Sequence, residues 1–154
     1  MNKITPFLWF DGNAEEAVNL YLSVFENSKV TNVNRSQDGA VFSMTFELSG
    51  QEFMALNGGP MYTFSPAVSF FVNCETQEEV DYLWERLSAG GEEQPCGWLK
   101  DRFGLSWQII PSVLSELISD PDPEKSQRAV QAMLTMSKID IEDLKRAHAG
   151  RVRW

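Results

Sequence analysis

An internal repeat limits most sharply what this chain can fold into. AEEAVNLY, Ala14 to Tyr21, and QEEVDYLW, Gln77 to Trp84, each follow an apolar run, FLWF before the first and SFFV before the second. Sliding one onto the other by 63 positions pairs Glu15 with Glu78, Glu16 with Glu79, Leu20 with Leu83, Tyr21 with Trp84 and Phe7 with Phe70. Such self-similarity is the mark of a duplicated supersecondary unit, here a strand followed by a helix. Each half then reports on the other, because a position that faces a functional cleft in one copy has a twin in the second.

Hydropathy period and turn chemistry extend the unit. Ile4 to Phe10 reads as a buried strand, and Asp11-Gly12-Asn13 as a turn that supplies a helix-capping oxygen. Ala17, Leu20, Tyr21, Val24 and Phe25 recur at helical spacing, which predicts an amphipathic helix from Ala14 to Phe25. Lys29 to Arg35, Ala40 to Leu48 and Glu52 to Leu56 follow as strands, separated by the hairpin signals Asp38-Gly39 and Ser49-Gly50. The second copy has a strand at Ala67 to Cys74, a helix at Thr76 to Ser88 ended by Gly90-Gly91, and strands at Pro95 to Asp101 and Leu105 to Ile110. A strand near Glu92 is short or absent.

From Ser112 the pattern turns helical, with a break at Asp120-Pro121-Asp122-Pro123, a helix from Pro123 to about Met136, and a last one capped by Asp140 and closed by Gly150. The fold class is therefore α+β: two tandem βαβββ units forming a curved mixed sheet, with a C-terminal helical extension that covers a sheet face or makes a subunit contact. The organisation is one domain, with unit one at 1–57, a linker at 58–66, unit two at 67–111 and C-terminal helices at 112–150.

Composition narrows the function. Hydrophobic residues at 43% and charged residues at 23% describe a globular chain that can bury a sizeable core. A net charge of −9 disfavours nucleic acid and anionic membrane surfaces as partners, since no basic stripe exists to neutralise phosphates. No apolar run approaches the ~20 residues of a membrane helix, and the N-terminus lacks the features of a signal peptide. Cys74 and Cys96 have no paired spacing, which fits a reducing compartment, so the expected location is cytoplasmic.

Five stretches in order, ITPFLWFDGNAEEAVNLY, FMALNGGP, SFFVNCETQEEVD, CGWLKDRFGLSWQIIP and MSKIDIEDL, resemble the PhnB-like branch of the vicinal oxygen chelate superfamily. That superfamily holds glyoxalase I, bleomycin-resistance proteins and extradiol dioxygenases, and its PhnB-like members often carry the label 3-demethylubiquinone-9 3-methyltransferase. In metal-dependent relatives the resemblance implies four ligands, His, Gln or Glu, on the first and last strands of each unit. Counting from Tyr21 places the first at Pro6, and the 63-residue offset places its twin at Ser69. The pattern Asp-x-x-Gly-x-x-x-Glu reads here as Asp101, Gly104 and Gln108, and matching FMALN to WQIIP gives Met54 as its twin. Proline has no donor, methionine suits soft metals, serine is a poor ligand, and one glutamine cannot hold an ion. No metal, no cofactor and no catalytic residue is therefore assigned.

Other chemistry is weaker still. The single histidine, His148, lies near the end of the last helix, where a surface or capping role is expected. Cys96 reads as a small packed residue before a reactive thiolate, and Cys74 as packing. The pairs Glu15/Glu16 and Glu78/Glu79 occupy first helical turns, where the dipole favours negative charge. Neither Asp11-Gly12-Asn13 nor Asn57-Gly58-Gly59-Pro60 matches the glycine-rich turn of an S-adenosylmethionine or dinucleotide site.

A pocket remains. Alternation places Leu8 and Phe10 with Pro6, Phe71 and Asn73 with Ser69, and Ser106 and Ile110 with Gln108 on a cupped face, with Phe7, Trp9, Phe70, Val72, Trp107 and Ile109 facing the helices. Trp98 and the Met61 to Phe64 loop stand at its mouth. The expected function is a metal-free small-molecule binding protein of the glyoxalase/bleomycin-resistance type, its ligand-binding residues being Gln108, Ser69, Met54, Pro6, Phe71, Phe10 and Trp98. The alternative is an enzyme, a methyltransferase as the family label says, or a metal-dependent isomerase, lyase or dioxygenase. A third reading fills the cup with the protein's own side chains. Relatives of this kind build clefts across a dimer, so the resemblance implies a homodimer.

Overall fold

The computed structural model describes residues 2–150, and its contacts divide the chain into two compact units that meet in sequence between Phe64 and Ser65. The first unit contains β1 (Phe7–Phe10), α1 (Ala14–Val24), β2 (Lys29–Arg35), β3 (Val41–Leu48) and β4 (Gln51–Asn57). Its four strands hydrogen-bond in the order β1-β4-β3-β2, with β1 parallel to β4 and the other pairs antiparallel. The second unit repeats this plan with β5 (Ser69–Cys74), α2 (Gln77–Ser88), β6 (Glu92–Glu93), β7 (Trp98–Lys100) and β8 (Ser106–Pro111) in the order β5-β8-β7-β6. Both copies are thus βαβββ with a mixed sheet, and α3 (Ser112–Ile118), α4 (Pro123–Leu134) and α5 (Ile141–His148) follow.

Each repeat helix buries one stripe on one face of its own sheet. In α1 the stripe is Ala14, Ala17, Val18, Tyr21 and Val24, laid on β3 and β4. In α2 it is Val80, Leu83, Trp84 and Leu87, laid chiefly on β7 and β8. Side chains alternate along a strand, so the burial pattern identifies the covered face. In unit one that face carries Leu8, Phe10, Met44, Phe46, Phe53 and Ala55, all buried, with Phe46 stacked on Phe53 at 5.4 Å. In unit two it carries Cys74, Leu99, Trp107 and Ile109. We call the opposite face of each sheet its distal face.

This corrects two expectations from the repeat. Leu8 and Phe10 do not share the distal face: they are buried beneath α1, while Phe7 and Trp9 point away from it beside Met54 and Leu56. Phe7 pairs with Met54 as Phe71 pairs with Gln108, and Phe10 with Asn57 as Cys74 with Pro111. The first strands are therefore offset by 64 residues and the helices by 63. Phe7 and Phe71 are 52% and 59% exposed, whereas Phe10 and Cys74 are 2% and 0%, as twins should be. The extra residue lies in the turn before α1, which has three residues where the turn before α2 has two. The distal twin of Ser69 is thus Thr5, not Pro6.

The helix starts differ for the same local reason. Asn13 makes no side-chain cap, against the expectation that the Asp11-Gly12-Asn13 turn supplies the oxygen. Instead Asn57 Oδ1, from the end of β4, accepts from Ala14 N at 2.9 Å, and its Nδ2 donates to the Val41 carbonyl. Helix α2 caps itself: Thr76 Oγ1 accepts from Glu79 N, and Glu79 Oε1 accepts from Glu75 N, the amide just before the cap residue. Glu79 is accordingly structural, and Glu15 pairs with Arg35 at 3.4 Å on the surface.

The tail packs on the end of the second unit. Ile110 is buried in a cluster with Leu114, Ile139 and Leu144, so it does not line an open cup. The strand expected at Pro95 begins only at Trp98, because Pro95–Gly97 forms a 3-10 turn whose Cys96 and Gly97 amides donate to the Met136 and Ser137 carbonyls. Gly97 has φ +81°, and a Cβ there would stand 2.7 Å from Ile110 Cδ1, so glycine is required. Asp140 caps α5 by accepting from Asp143 N, as expected. His148 stands in the last turn of α5 as expected, and its partly buried ring meets Asp120 Oδ2 at 2.8 Å, joining α5 to the turn after α3. No helix among the described residues is long and apolar enough to cross a membrane.

Candidate functional site

Three strands of unit two bring the expected polar and aromatic residues onto one face in register. Phe71 on β5 pairs with Gln108 on β8, and Gln108 pairs with Trp98 on β7, so an amide stands between two aromatic side chains. Two residues along, a second row runs Ser69, Ser106, Lys100 and Glu92 across β5, β8, β7 and β6. All belong to the distal face, since the alternate residues Leu99, Trp107 and Ile109 are buried against α2.

Gln108 Nε2 donates to Ser69 Oγ at 2.9 Å, joining the rows. Its Oε1 accepts from no group among the described residues. Phe71 is exposed, whereas Ser69, Gln108, Trp98 and Lys100 are partly buried. Ser106 is fully buried, and its hydroxyl is the one buried side-chain polar atom without a hydrogen-bond partner among the described residues.

The hairpin that presents Trp98 and Gln108 is organised by Asp101, which is 2% exposed. Its Oδ1 accepts from Phe103 N at 2.9 Å and Leu105 N at 3.0 Å, and its Oδ2 accepts from Trp107 Nε1 at 2.9 Å. Gly104 completes the turn at φ +90°, with its amide donating to the Asp101 carbonyl. Asp101 and Gly104 of the sequence pattern therefore build the turn that holds Gln108.

Unit one has a different distal face. Met54 lies between Phe7 and Thr45, and Leu56 between Trp9 and Ser43. Thr5 Oγ1 donates to Glu52 Oε1 at 2.9 Å, the counterpart of the Ser69 and Gln108 contact one step along the sheet. Pro6 lies just before β1 and contributes its carbonyl, which accepts from Met54 N. The linker covers the Trp9 end: Trp9 Nε1 donates to the Gly59 carbonyl and Tyr62 packs edge-on to the Trp9 ring at 5.0 Å. A Cβ on Gly58 would come within 2.4 Å of that ring. Phe64 instead meets Phe10 at 5.2 Å, and Met61 is exposed.

Of the residues expected in one cup, the structure puts Ser69, Phe71, Gln108 and Trp98 on one sheet face, and Met54 on the distal face of the other unit. Phe10 lies under α1, and Pro6 adds no side-chain group. Lys100, Thr5 and Glu52 were missed. Alternation in Trp98-Leu99-Lys100 carries the signal for Lys100 and in Glu52-Phe53-Met54 that for Glu52, while Thr5 was hidden by the one-residue shift in offset.

The metal positions can be tested on these side chains. In unit one the position holds Met54 beside Phe7, a lone thioether, and in unit two Gln108 beside Phe71 with Ser69 bonded to it, one amide and one hydroxyl; neither set fits a divalent ion. Among the described residues no three His, Cys, Asp or Glu gather as a metal-binding group. Nor do the strand-to-helix turns fit a nucleotide cofactor, since Asn57 caps α1 and the Thr76/Glu79 pair caps α2. Burial, with Glu79 nearby, pushes the Cys74 thiol up to about 12, so it packs as a neutral group.

A family model described as 3-demethylubiquinone-9 3-methyltransferase matches residues 2–110. Among solved structures, the chain is similar to a putative 3-demethylubiquinone-9 3-methyltransferase, the PhnB protein of Bacillus cereus. The two are 38% identical over 72% of this chain and 100% of that one, with a TM-score of 0.69. Protein PA1353 from Pseudomonas aeruginosa is 20% identical over 72% of this chain and 98% of its own, with a TM-score of 0.59. The fosfomycin resistance protein FosX from Listeria monocytogenes, solved with Mn(II) and sulfate, is 15% identical over 70% and 89%, at a TM-score of 0.52. No curated protein matches the chain. With two βαβββ units and this match across most of its length, the chain belongs to the PhnB-like 3-demethylubiquinone-9 3-methyltransferase family.

Proposed function

We propose that the protein binds a small molecule on the distal face of its second sheet, without a metal ion. The observation that supports this best is the row Phe71, Gln108, Trp98, in which a hydrogen-bonded amide with a free acceptor oxygen stands between an exposed and a partly buried aromatic ring. Ligand sites are mostly apolar with a few placed polar groups, and an exposed phenylalanine beside an anchored amide has that character. Ser69 fixes the rotamer of Gln108, which would present Oε1 to a ligand N–H or O–H.

The methyl transfer named by the family description needs a bound methyl donor, and the helix starts, capped by Asn57 at α1 and by Thr76 at α2, offer no free ribose-binding turn. FosX holds Mn(II), but the corresponding donor set here is too poor to follow it. The proposal includes a homodimer and a cytoplasmic setting.

A thermal-shift screen of small molecules and of Mn, Zn, Ni and Fe ions, run on the wild type and on Gln108→Leu, tests this reading. Organic hits should raise the wild-type melting temperature and lose most of that gain in Gln108→Leu. A stoichiometric metal ion held without added ligand would overturn the metal-free part, and hits indifferent to Gln108→Leu would overturn the site.

A further inference from the structure

We infer that this face selects a planar aromatic or conjugated monoanion, its ring held above Gln108 between Phe71 and Trp98 and its carboxylate turned toward Lys100 and Ser106. The inference rests on the binding reading of the same face and adds the charge and shape of the ligand. Neighbouring strands lie about 4.8 Å apart, so Phe71 and Trp98 stand about 10 Å apart across Gln108. Aromatic pairs settle at centroid distances of about 4.5–7 Å, so two such rings have room for one more between them. A bulky tetrahedral group would not use that slot.

Charge is supplied by Lys100, two residues or about 6.7 Å along β7 from Trp98. It is partly buried and makes no ion pair among the described residues, although Glu92 lies opposite it on the exposed two-residue edge strand. In a chain of net charge −9, a cation left unpaired beside an aromatic slot is a local reversal of sign. Ser106, between Ser69 and Lys100, gives the second and independent sign of a ligand: its hydroxyl is fully buried and unpartnered, while the neighbouring Ser69 hydroxyl is already engaged by Gln108. Buried polar groups are ordinarily satisfied, so Ser106 Oγ points to a missing acceptor. A carboxylate oxygen satisfies both groups at once, a neutral ring leaves both unmet, and a cation is repelled.

The probes are 2-naphthoate and its neutral isostere 2-naphthamide, titrated against the full chain by calorimetry, with the Gln108 side-chain amide followed by 15N NMR. Naphthoate is expected to bind at least tenfold more tightly. Lys100→Met should abolish that ratio while changing naphthamide binding less than twofold. Lys100→Arg should retain the ratio, and Glu92→Gln should strengthen naphthoate alone. Equal affinity for the two probes with both shifting the Gln108 signals would overturn anion selection and leave the binding face standing. If neither probe nor any neutral fragment shifts Gln108, both fall. A melting temperature of Lys100→Met close to wild type separates lost selection from lost folding.

Discussion

Replacing Asp101 by asparagine probes the turn that sets the candidate site. The carboxylate accepts three hydrogen bonds inside the β7–β8 connection, two from backbone amides and one from the indole of Trp107, and is 2% exposed. Asparagine can keep one oxygen on Phe103 N and Leu105 N, but its NH2 must then face Trp107 Nε1–H, donor against donor. One charge-assisted bond is lost, a buried donor is orphaned and the remaining bonds become neutral, which together cost about 2–4 kcal/mol. For a chain of this length that lowers the melting temperature by about 4–16 °C. Urea unfolding of wild type, Asp101→Asn, Trp107→Phe and the double variant closes a thermodynamic cycle, in which the coupling should be about 1–2 kcal/mol. An Asp101→Asn penalty below about 0.5 kcal/mol, or one undiminished on the Trp107→Phe background, refutes the assigned role.

Further outcomes follow from other parts of the fold. Gly97→Ala combines a φ of +81° with a Cβ 2.7 Å from Ile110 Cδ1 and should cost about 2–4 kcal/mol in chemical denaturation, whereas Gly39→Ala, at φ +88° in open space, should cost about 1 kcal/mol. Cys74, with its thiol raised to about 12 by burial, should resist iodoacetamide at pH 8 in the native protein and react once urea unfolds it. Asp81 is held below the ordinary 3.8 by a hydrogen bond from Gln77 and by Lys138, and Asp120 by the Asp122 amide and His148. A depressed carboxyl stabilises the fold fully above its unfolded value and loses that contribution as pH falls through the folded one. The tail should therefore loosen below about pH 4, and Asp120→Asn should flatten that acid limb of the melting curve.

Much of this architecture is legible in the residues because local signals agree. Asp38-Gly39 and Ser49-Gly50 fix the hairpins of unit one, the α2 stripe of Val80, Leu83, Trp84 and Leu87 fixes its buried face, and Asp140 and Gly150 bracket α5. The error in the facing of β1 traces to one residue. Helices aligned at 63 say nothing about the turn before them, and in a strand a shift of one moves every side chain to the other face, which is why Leu8 and Phe10 were placed wrongly. The cap from Asn57 and the pairing of His148 with Asp120 bring together residues far apart in sequence, and no local pattern carries either. On the site, the alternation that sets Phe71 with Ser69 and Ser106 with Gln108 was readable, whereas the unpartnered hydroxyl of Ser106 is visible only once packing is known.

The binding face is tested most directly by the side-chain amide signals of Gln108 in a 15N spectrum recorded during a fragment titration. Movement of those two signals together with the indole of Trp98, saturable and absent in Ser69→Ala where the amide loses its anchor, is the expected result. Saturable ligand binding that leaves both groups unmoved would contradict it.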